Sequence, residues 1–162
     1  MISARSVSIA VVVAVMLALH YTLRPILDWR AGVDFLTIAV LVVAVRVRPG
    51  VAALVGFAIG VVADALAPEA FGAGALAMTI VGFSASRLKS AFFADNVLVN
   101  AVFVFVGKVA FDLIFLVAER RLGGAALATQ LLLWTPLSAL LTAFVGLFVM
   151  SVVRPTLERR RG

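Results

Sequence analysis

Long apolar runs separated by short polar breaks dominate this chain. Charged residues, prolines and glycines divide it into six apolar segments, at about residues 6–23, 32–47, 50–67, 71–88, 96–118 and 127–153. A helix needs about 20 apolar residues to cross a bilayer, and these segments come close to that length. The alternation that marks transmembrane β-strands is not visible. The pattern predicts an all-α integral membrane protein, a bundle of about six transmembrane helices.

The composition supports a membrane protein and excludes an ordinary soluble domain. Of the 162 residues, 64% are hydrophobic and 14% are charged, and the mean hydropathy is +1.19. Soluble domains are nearer half apolar and a quarter charged, so too few polar side chains remain to cover a water-exposed surface. The breaks are too short for a second domain, which predicts one transmembrane domain over residues 1–162. We expect the first segment to be a retained span, because no small-residue cleavage site follows it.

The basic residues predict the orientation of the bundle. Nine of the 14 lysines and arginines fall on one predicted side of the membrane, four fall on the other, and Lys108 lies within a segment. An excess of Lys and Arg marks the cytoplasmic face. Six spans with both termini in the cytoplasm satisfy this distribution. The nine residues are Arg5, Arg46, Arg48, Arg87, Lys89, Arg154, Arg159, Arg160 and Arg161.

Several classes of function are disfavoured by the residues available. The chain has no cysteine and one histidine, so it lacks the parts of thiolate or histidine metal sites and of conventional catalytic triads. Its carboxylates are scattered, which disfavours acid–base catalysis. The net charge of +6 is not gathered into a basic patch with interleaved aromatic residues. We therefore expect the protein to have no enzymatic activity, no cofactor, no metal and no nucleic-acid partner. We interpret the positive charge as a determinant of membrane topology and as a source of attraction to membrane lipid.

The third segment carries small or polar residues at a strict four-residue interval: Ala52, Gly56, Gly60 and Asp64. Such residues share one helix face, and small side chains there allow another helix to approach closely. The stripe predicts either internal packing or a docking face for a partner. Asp64, at its end, is either a functional intramembrane acid or a cap for the next helix.

Two neighbouring features belong to the same class of helix-packing candidates. Gly72 and Gly74 lie at the start of the fourth segment and suit a tight turn or a close contact. Alanines repeat at four-residue intervals in the first segment and, if they face lipid, would accept a partner helix. These alanines are Ala10, Ala14 and Ala18. His20 follows them and is interpreted as an interfacial residue rather than a proton relay.

Lys108 and Asp112 lie well inside the fifth segment, four residues apart. That spacing places them on one face, where they can neutralise each other as an intramembrane ion pair. A structural bridge, a bridge shared with Asp64 across the bundle, and ion coupling as in a transporter all remain open.

The region between residues 34 and 88 contains a set of short motifs. Residues 56–68 have the pattern G-x-x-x-G-x-x-x-D-x-L-x-P, residues 71–76 have the pattern F-G-x-G-A-L, and residues 34–36 and 45–50 belong to the same set. Through these motifs the chain resembles the MreD family of bacterial rod shape-determining membrane proteins. Length, the six predicted spans and the basic C-terminal end extend the resemblance over the whole chain. Lys108 and Asp112 correspond to no motif of that family.

The resemblance implies a non-enzymatic, multi-pass subunit of the cell-wall elongation machinery in the bacterial inner membrane. Its implied partners are the bitopic protein MreC, the glycosyltransferase RodA with its class B penicillin-binding transpeptidase, and the cytoskeletal protein MreB, indirectly or through MreC. The family is also similar in fold to the S-components of energy-coupling-factor transporters.

Two hypotheses follow for the function. The first is a scaffold whose lateral helix faces hold partner membrane proteins together during peptidoglycan synthesis. The second is a small-molecule-binding transporter subunit resembling an S-component, with a pocket near Asp34, Asp64 and Asp112. A substrate site needs converging polar groups, and the sequence supplies few of them on the outer side of the membrane, where this pocket would open.

Overall fold

In the computed structural model, the described part of the chain is residues 4–27, 32–66, 71–92, 96–119 and 123–158. Every regular element within these ranges is helical. One π-helix interrupts the last helical run, so six continuous helical runs are present in the described ranges. The elements are α1 (Ala4–Leu27), α2 (Phe35–Ala44), α3 (Pro49–Leu66), α4 (Ala73–Phe92), α5 (Val97–Glu119), α6 (Gly124–Thr129), the π-helix (Gln130–Trp134) and α7 (Thr135–Glu158).

Three of these runs are long and apolar enough to cross a membrane: α3, α5 and the continuous stretch Gly124–Ser151. They correspond to the third, fifth and sixth predicted segments. The fourth segment is the 20-residue helix α4, which is less apolar because Ser84, Ser86, Arg87 and Lys89 occupy its second half.

The second predicted segment, residues 32–47, is helical over a shorter range than expected. Helix α2 has 10 residues, about 15 Å of helix at 1.5 Å per residue, which is half of a bilayer core of about 30 Å. Asp34 caps its start and a turn follows at Val45. A short, predominantly apolar helix of this kind is typical of a protein core, and all ten α2 residues are buried.

Two other predicted boundaries need correction. Helix α1 was expected to end before Arg24 and Pro25 but continues to Leu27. Proline removes one backbone donor, and membrane helices tolerate that loss. The sixth segment was expected at about residues 127–153; the helical run extends from Gly124 to Glu158, and five of its residues form a π-helix immediately before Thr135 and Pro136.

Helix α2 forms the centre of the bundle. It packs against α1, α3, α4, α5 and α7, and Ile38 and Leu41 are fully buried. Gly107 of α5 faces the Leu41 side chain, and Gly146 of α7 faces Val104 and Ile38. Small residues on the surrounding helices therefore bring them close to the bulky side chains of α2.

Helices α3 and α4 form an antiparallel pair in close backbone contact. A Cβ atom on Gly56 would overlap the Met78 carbonyl, and one on Gly60 would lie 2.7 Å from the Ala75 nitrogen. A Cβ atom on Gly82 would lie 2.7 Å from the Ala52 carbonyl oxygen. Glycine at these positions is what allows the two backbones to pack this closely.

At the end of the bundle where α2 stops, α4 holds the turn to α3. The Ser86 hydroxyl donates to the Val47 carbonyl at 2.7 Å, and Lys89 Nζ donates to the same oxygen at 2.8 Å. The start of α2, the end of α3 and the start of α4 lie at the opposite end, where the carboxylates of Asp34 and Asp64 are buried.

Candidate functional site

Asp64 caps helix α4 from the end of α3. Its buried carboxylate accepts hydrogen bonds from the backbone N–H groups of Gly72 at 2.9 Å, Gly74 at 3.1 Å and Ala75 at 2.9 Å. Gly72 has φ +97°, a conformation that glycine adopts readily. A carboxylate at a helix N-terminus satisfies donors that have no partner within the helix and complements the helix dipole.

Asp34 performs the same task for α2. Its Oδ1 accepts from the backbone N–H groups of Leu36 at 3.1 Å and Thr37 at 3.0 Å, and its Oδ2 accepts from the Thr37 hydroxyl at 2.8 Å. The backbone N–H of Asp34 donates to Thr142 Oγ1 of α7 at 3.1 Å. The start of α2 is thereby fixed within the bundle.

Lys108 joins Asp34 to Asp112. Its Nζ lies 3.0 Å from Asp34 Oδ2 and 2.5 Å from Asp112 Oδ1, and 4.9 Å from the centre of the Phe111 ring. The lysine side chain is 8% exposed and those of the two acids 10% and 15%. Two carboxylates therefore share one ammonium group inside the bundle.

Hydroxyl groups of α7 complete this region. Ser138 Oγ donates to the Gly32 carbonyl at 2.8 Å, which ties the segment before α2 to α7. Thr135 is buried beside Asp112, immediately after the π-helix. His20 of α1 is also buried and lies within electrostatic range of Asp34. We call His20, Asp34, Lys108, Asp112 and Thr135 the polar cluster.

The structure brings some predicted residues together and separates others. Lys108 pairs with Asp112, but its second partner is Asp34 rather than Asp64, because Asp64 is engaged by α4. Ala52, Gly56, Gly60 and Asp64 are buried and face α4, where Gly74 lies against the Asp64 carboxylate. His20 is buried within the bundle, and its place at the membrane interface stays a prediction.

The alanine stripe of α1 lies on the outside of the bundle. Ala10, Ala14 and Ala18 are exposed, beside Val11 and Val15, which are 56% and 48% exposed. Met16 and His20, on another side of α1, are buried. Two stripes with the same spacing therefore differ: the one on α3 is covered by α4, and none of the described residues covers the one on α1.

Sequence reasoning missed the contact of Asp34 with Lys108 and the part that Thr135 plays in the cluster. Asp34 was noted as the start of a motif and, in the second hypothesis, as a neighbour of Asp112, but the 74 positions between Asp34 and Lys108 conceal their contact. One usable signal was present: an acid immediately before an apolar run is typical of a helix N-cap. Such a cap would have predicted a buried carboxylate at the start of α2, and a buried carboxylate is a suitable partner for a buried lysine.

Comparison with known proteins places the chain in a family. Residues 2–153 match one protein family, described as rod shape-determining protein MreD. The chain belongs to that family. No curated protein and no solved structure gives a significant match. The match covers nearly the whole MreD-family chain, including the α3–α4 pair and the polar cluster.

Membership of the MreD family implies a role in determining rod shape and a location in a membrane, in agreement with the three long apolar runs. The family is one of structural membrane proteins. The described side chains do not place three His, Cys, Asp or Glu residues together as metal ligands. In this part of the chain, the buried charges cap helices and bridge them.

Proposed function

We propose that this MreD-family protein is a non-enzymatic scaffold of the cell-wall elongation machinery in the bacterial inner membrane, where it holds partner membrane proteins together. Family membership supports the link to rod shape. The observation that carries the scaffold proposal is the exposed alanine face of α1.

That face has the character of a helix-docking surface. Ala10, Ala14 and Ala18 present little beyond the helix backbone, so a second helix can approach closely along their line. In the membrane, helices associate through such packing rather than through a hydrophobic driving force. We propose the transmembrane helix of MreC as the occupant, since the family resemblance implies this bitopic protein as a partner. RodA, its transpeptidase and MreB would join the same assembly.

The carboxylates also favour a scaffold over a small-molecule binder. A binding site needs polar groups that converge on a ligand. Asp34 and Asp64 instead accept hydrogen bonds from helix N-termini, and Asp112 pairs with Lys108. The acids on which an S-component-like pocket would depend already have partners within the protein.

Cysteine crosslinking in membranes tests this proposal. Because the chain contains no cysteine, Ala14→Cys introduces a unique thiol on the α1 face. Ala58→Cys is the matched control, since Ala58 is an exposed alanine on α3. With single cysteines placed along the MreC transmembrane helix, we expect a crosslink from position 14 and none from position 58. Equal crosslinking at both positions, or a crosslink at 58 alone, would contradict the proposed docking face.

A further inference from the structure

With His20 neutral, the polar cluster contains more negative than positive charge when its acids are ionised. Asp34 and Asp112 contribute two carboxylates, and Lys108 contributes one ammonium group. An uncompensated charge is costly within a membrane span. A positive charge is therefore needed to balance the cluster, and a proton is the smallest group that can supply it.

The hydrogen bonds distinguish the two acids. Asp34 accepts four, from the Leu36 N–H, the Thr37 N–H, the Thr37 hydroxyl and Lys108 Nζ. Asp112 accepts one from the described residues, from Lys108 Nζ. Hydrogen bonds to a carboxylate stabilise its ionised form. The ionised form of Asp34 is thus stabilised by more hydrogen bonds than the ionised form of Asp112.

Thr135 provides an independent indication of a missing partner. It is 3% exposed and faces Asp112. It lies outside hydrogen-bond geometry, however, and its buried Oγ1 has no partner among the described residues. A buried hydroxyl without a hydrogen bond is costly and calls for an explanation. Thr135 also follows a π-helix, a feature often found at functional sites: its backbone N–H bonds to Gln130, five residues back.

We propose that Asp112 carries one exchangeable proton, bound between its carboxylate and the Thr135 hydroxyl. On uptake, the carboxylate gains a proton from the adjacent aqueous phase and becomes a carboxylic acid. The new O–H bond donates to Thr135 Oγ1, and Lys108 and Asp34 remain as a neutral pair. One proton therefore satisfies both the charge balance and the unpartnered hydroxyl.

The other ionisable groups near Asp112 are few in the described part of the chain. On the α2 side it meets Asp34, with His20 of α1 beyond it. The facing part of α7 contributes the hydroxyls of Thr135, Ser138 and Thr142. Glu119 lies two helical turns further along α5. Of the helix α4 charges, Lys89 bonds to Val47, at the other end of the bundle.

The proton would couple two helices to pH. The protonated acid joins α5 to α7 beside the π-helix, where the helical hydrogen bonding is already irregular. Loss of the proton breaks that link and leaves an excess negative charge between the helices. The contact between α5 and α7 would then loosen as the pH of the adjacent phase rises.

Infrared difference spectroscopy tests the proton directly. The full-length protein in lipid vesicles is titrated from alkaline to mildly acidic pH, in H₂O and in D₂O. We expect a carboxylic-acid C=O band that grows as the pH falls and shifts in D₂O. Asp112→Asn should remove that band, whereas Glu119→Gln, which changes another carboxyl group of α5, should retain it. Persistence of the full band in Asp112→Asn would overturn the proposal.

Thr135 variants keep the test valid if Asp112→Asn does not fold. Thr135→Val removes the hydroxyl but preserves the shape, so the band should move to higher frequency as the acid loses its hydrogen bond. Thr135→Ser should restore the wild-type frequency. An unchanged band in Thr135→Val would overturn the assignment of Thr135 as the proton's partner.

Two further outcomes would also overturn the proposal. If the pH-dependent signal is that of an imidazole and disappears in His20→Gln, the proton belongs to His20. If a carboxylate signal responds to sodium but not to pH, a metal cation rather than a proton balances the charge. Replacing sodium by choline in the same titration distinguishes the latter case.

Discussion

At the scale of single residues, buried charges in this protein act on helix ends and on one another. Asp64 is the clearest case, because three backbone N–H groups of the α4 start depend on its carboxylate. A buried polar group without a partner costs about 1–3 kcal/mol. A membrane protein has little water available to replace the lost acceptor.

We expect Asp64→Ala to lower the free energy of unfolding by about 3 kcal/mol or more, since three donors lose their acceptor. The midpoint of detergent-induced unfolding measures this change. Asn96→Ala is the control: Asn96 Oδ1 accepts the Leu98 N–H at 2.8 Å at the exposed start of α5, and loss of such a cap costs about 1 kcal/mol. If the two variants were equally stable, Asp64 would not be the main cap of α4.

Lys108 should be more sensitive to substitution than Asp112. Lys108→Met leaves two buried carboxylates without their shared cation, and breaking a buried ion pair typically costs about 3–5 kcal/mol. Adding Asp112→Asn should recover part of that loss, because Asp34 keeps its three other donors. Abundance in the membrane fraction and the unfolding midpoint test both steps. A double variant no more stable than Lys108→Met would show that charge imbalance is not the cause of the lost stability.

At the scale of helices, glycine positions decide which surfaces meet. Gly60→Ala should lower the free energy of unfolding by about 1–3 kcal/mol, a typical cost of overpacking. The added Cβ would lie 2.7 Å from the Ala75 nitrogen and from the Gly74 carbonyl oxygen, and backbone atoms cannot easily move away.

Gly50→Ala is the matched control for Gly60→Ala. It lies on the same helix, and a Cβ atom there has no neighbour within 4 Å among the described residues. Alanine favours a helix over glycine by about 1 kcal/mol, so this variant should be no less stable than the wild type in the same unfolding assay. A similar loss in both variants would indicate an effect of helix propensity or membrane insertion rather than a clash with α4.

Hydropathy predicted the apolar segments well because it reports where the chain avoids water. It could not predict that α2 is a short buried helix, since its residues are as apolar as those of a span. What distinguishes α2 is the cap at Asp34 and the turn after Ala44, which depend on local hydrogen bonds. The π-helix before Thr135 was equally invisible, because one extra residue per turn barely changes an apolar pattern.

The residue contacts of the site were predicted in part, according to their distance along the chain. The Lys108–Asp112 spacing directly indicates a shared helix face. The Lys108–Asp34 contact requires knowledge of which helices are neighbours, and no single-sequence pattern contains it. For the same reason, identical spacing on α1 and α3 could not reveal that α4 covers only the α3 stripe.

At the scale of the whole molecule, a scaffold has a surface that its own fold does not require. The alanine face of α1 fits this description, because its residues are exposed while Met16 and His20 of the same helix are buried. Ala14→Trp should therefore leave folding and membrane abundance unchanged, since no described residue packs over Ala14. It should nevertheless prevent close approach of a partner helix.

In a rod-shaped host that lacks the wild-type protein, we expect the Ala14→Trp variant to fail to restore rods, so that the cells round up. Ala58→Trp on α3, also at an exposed alanine, should restore them. Cell length-to-width ratio and protein abundance, measured in the same cultures, separate loss of assembly from loss of the protein. Normal rods with Ala14→Trp at wild-type abundance would show that the α1 face is not the docking surface for a partner helix. Rounding with both variants would point to a general sensitivity of the lipid-facing surface, and the scaffold would then need a different contact face.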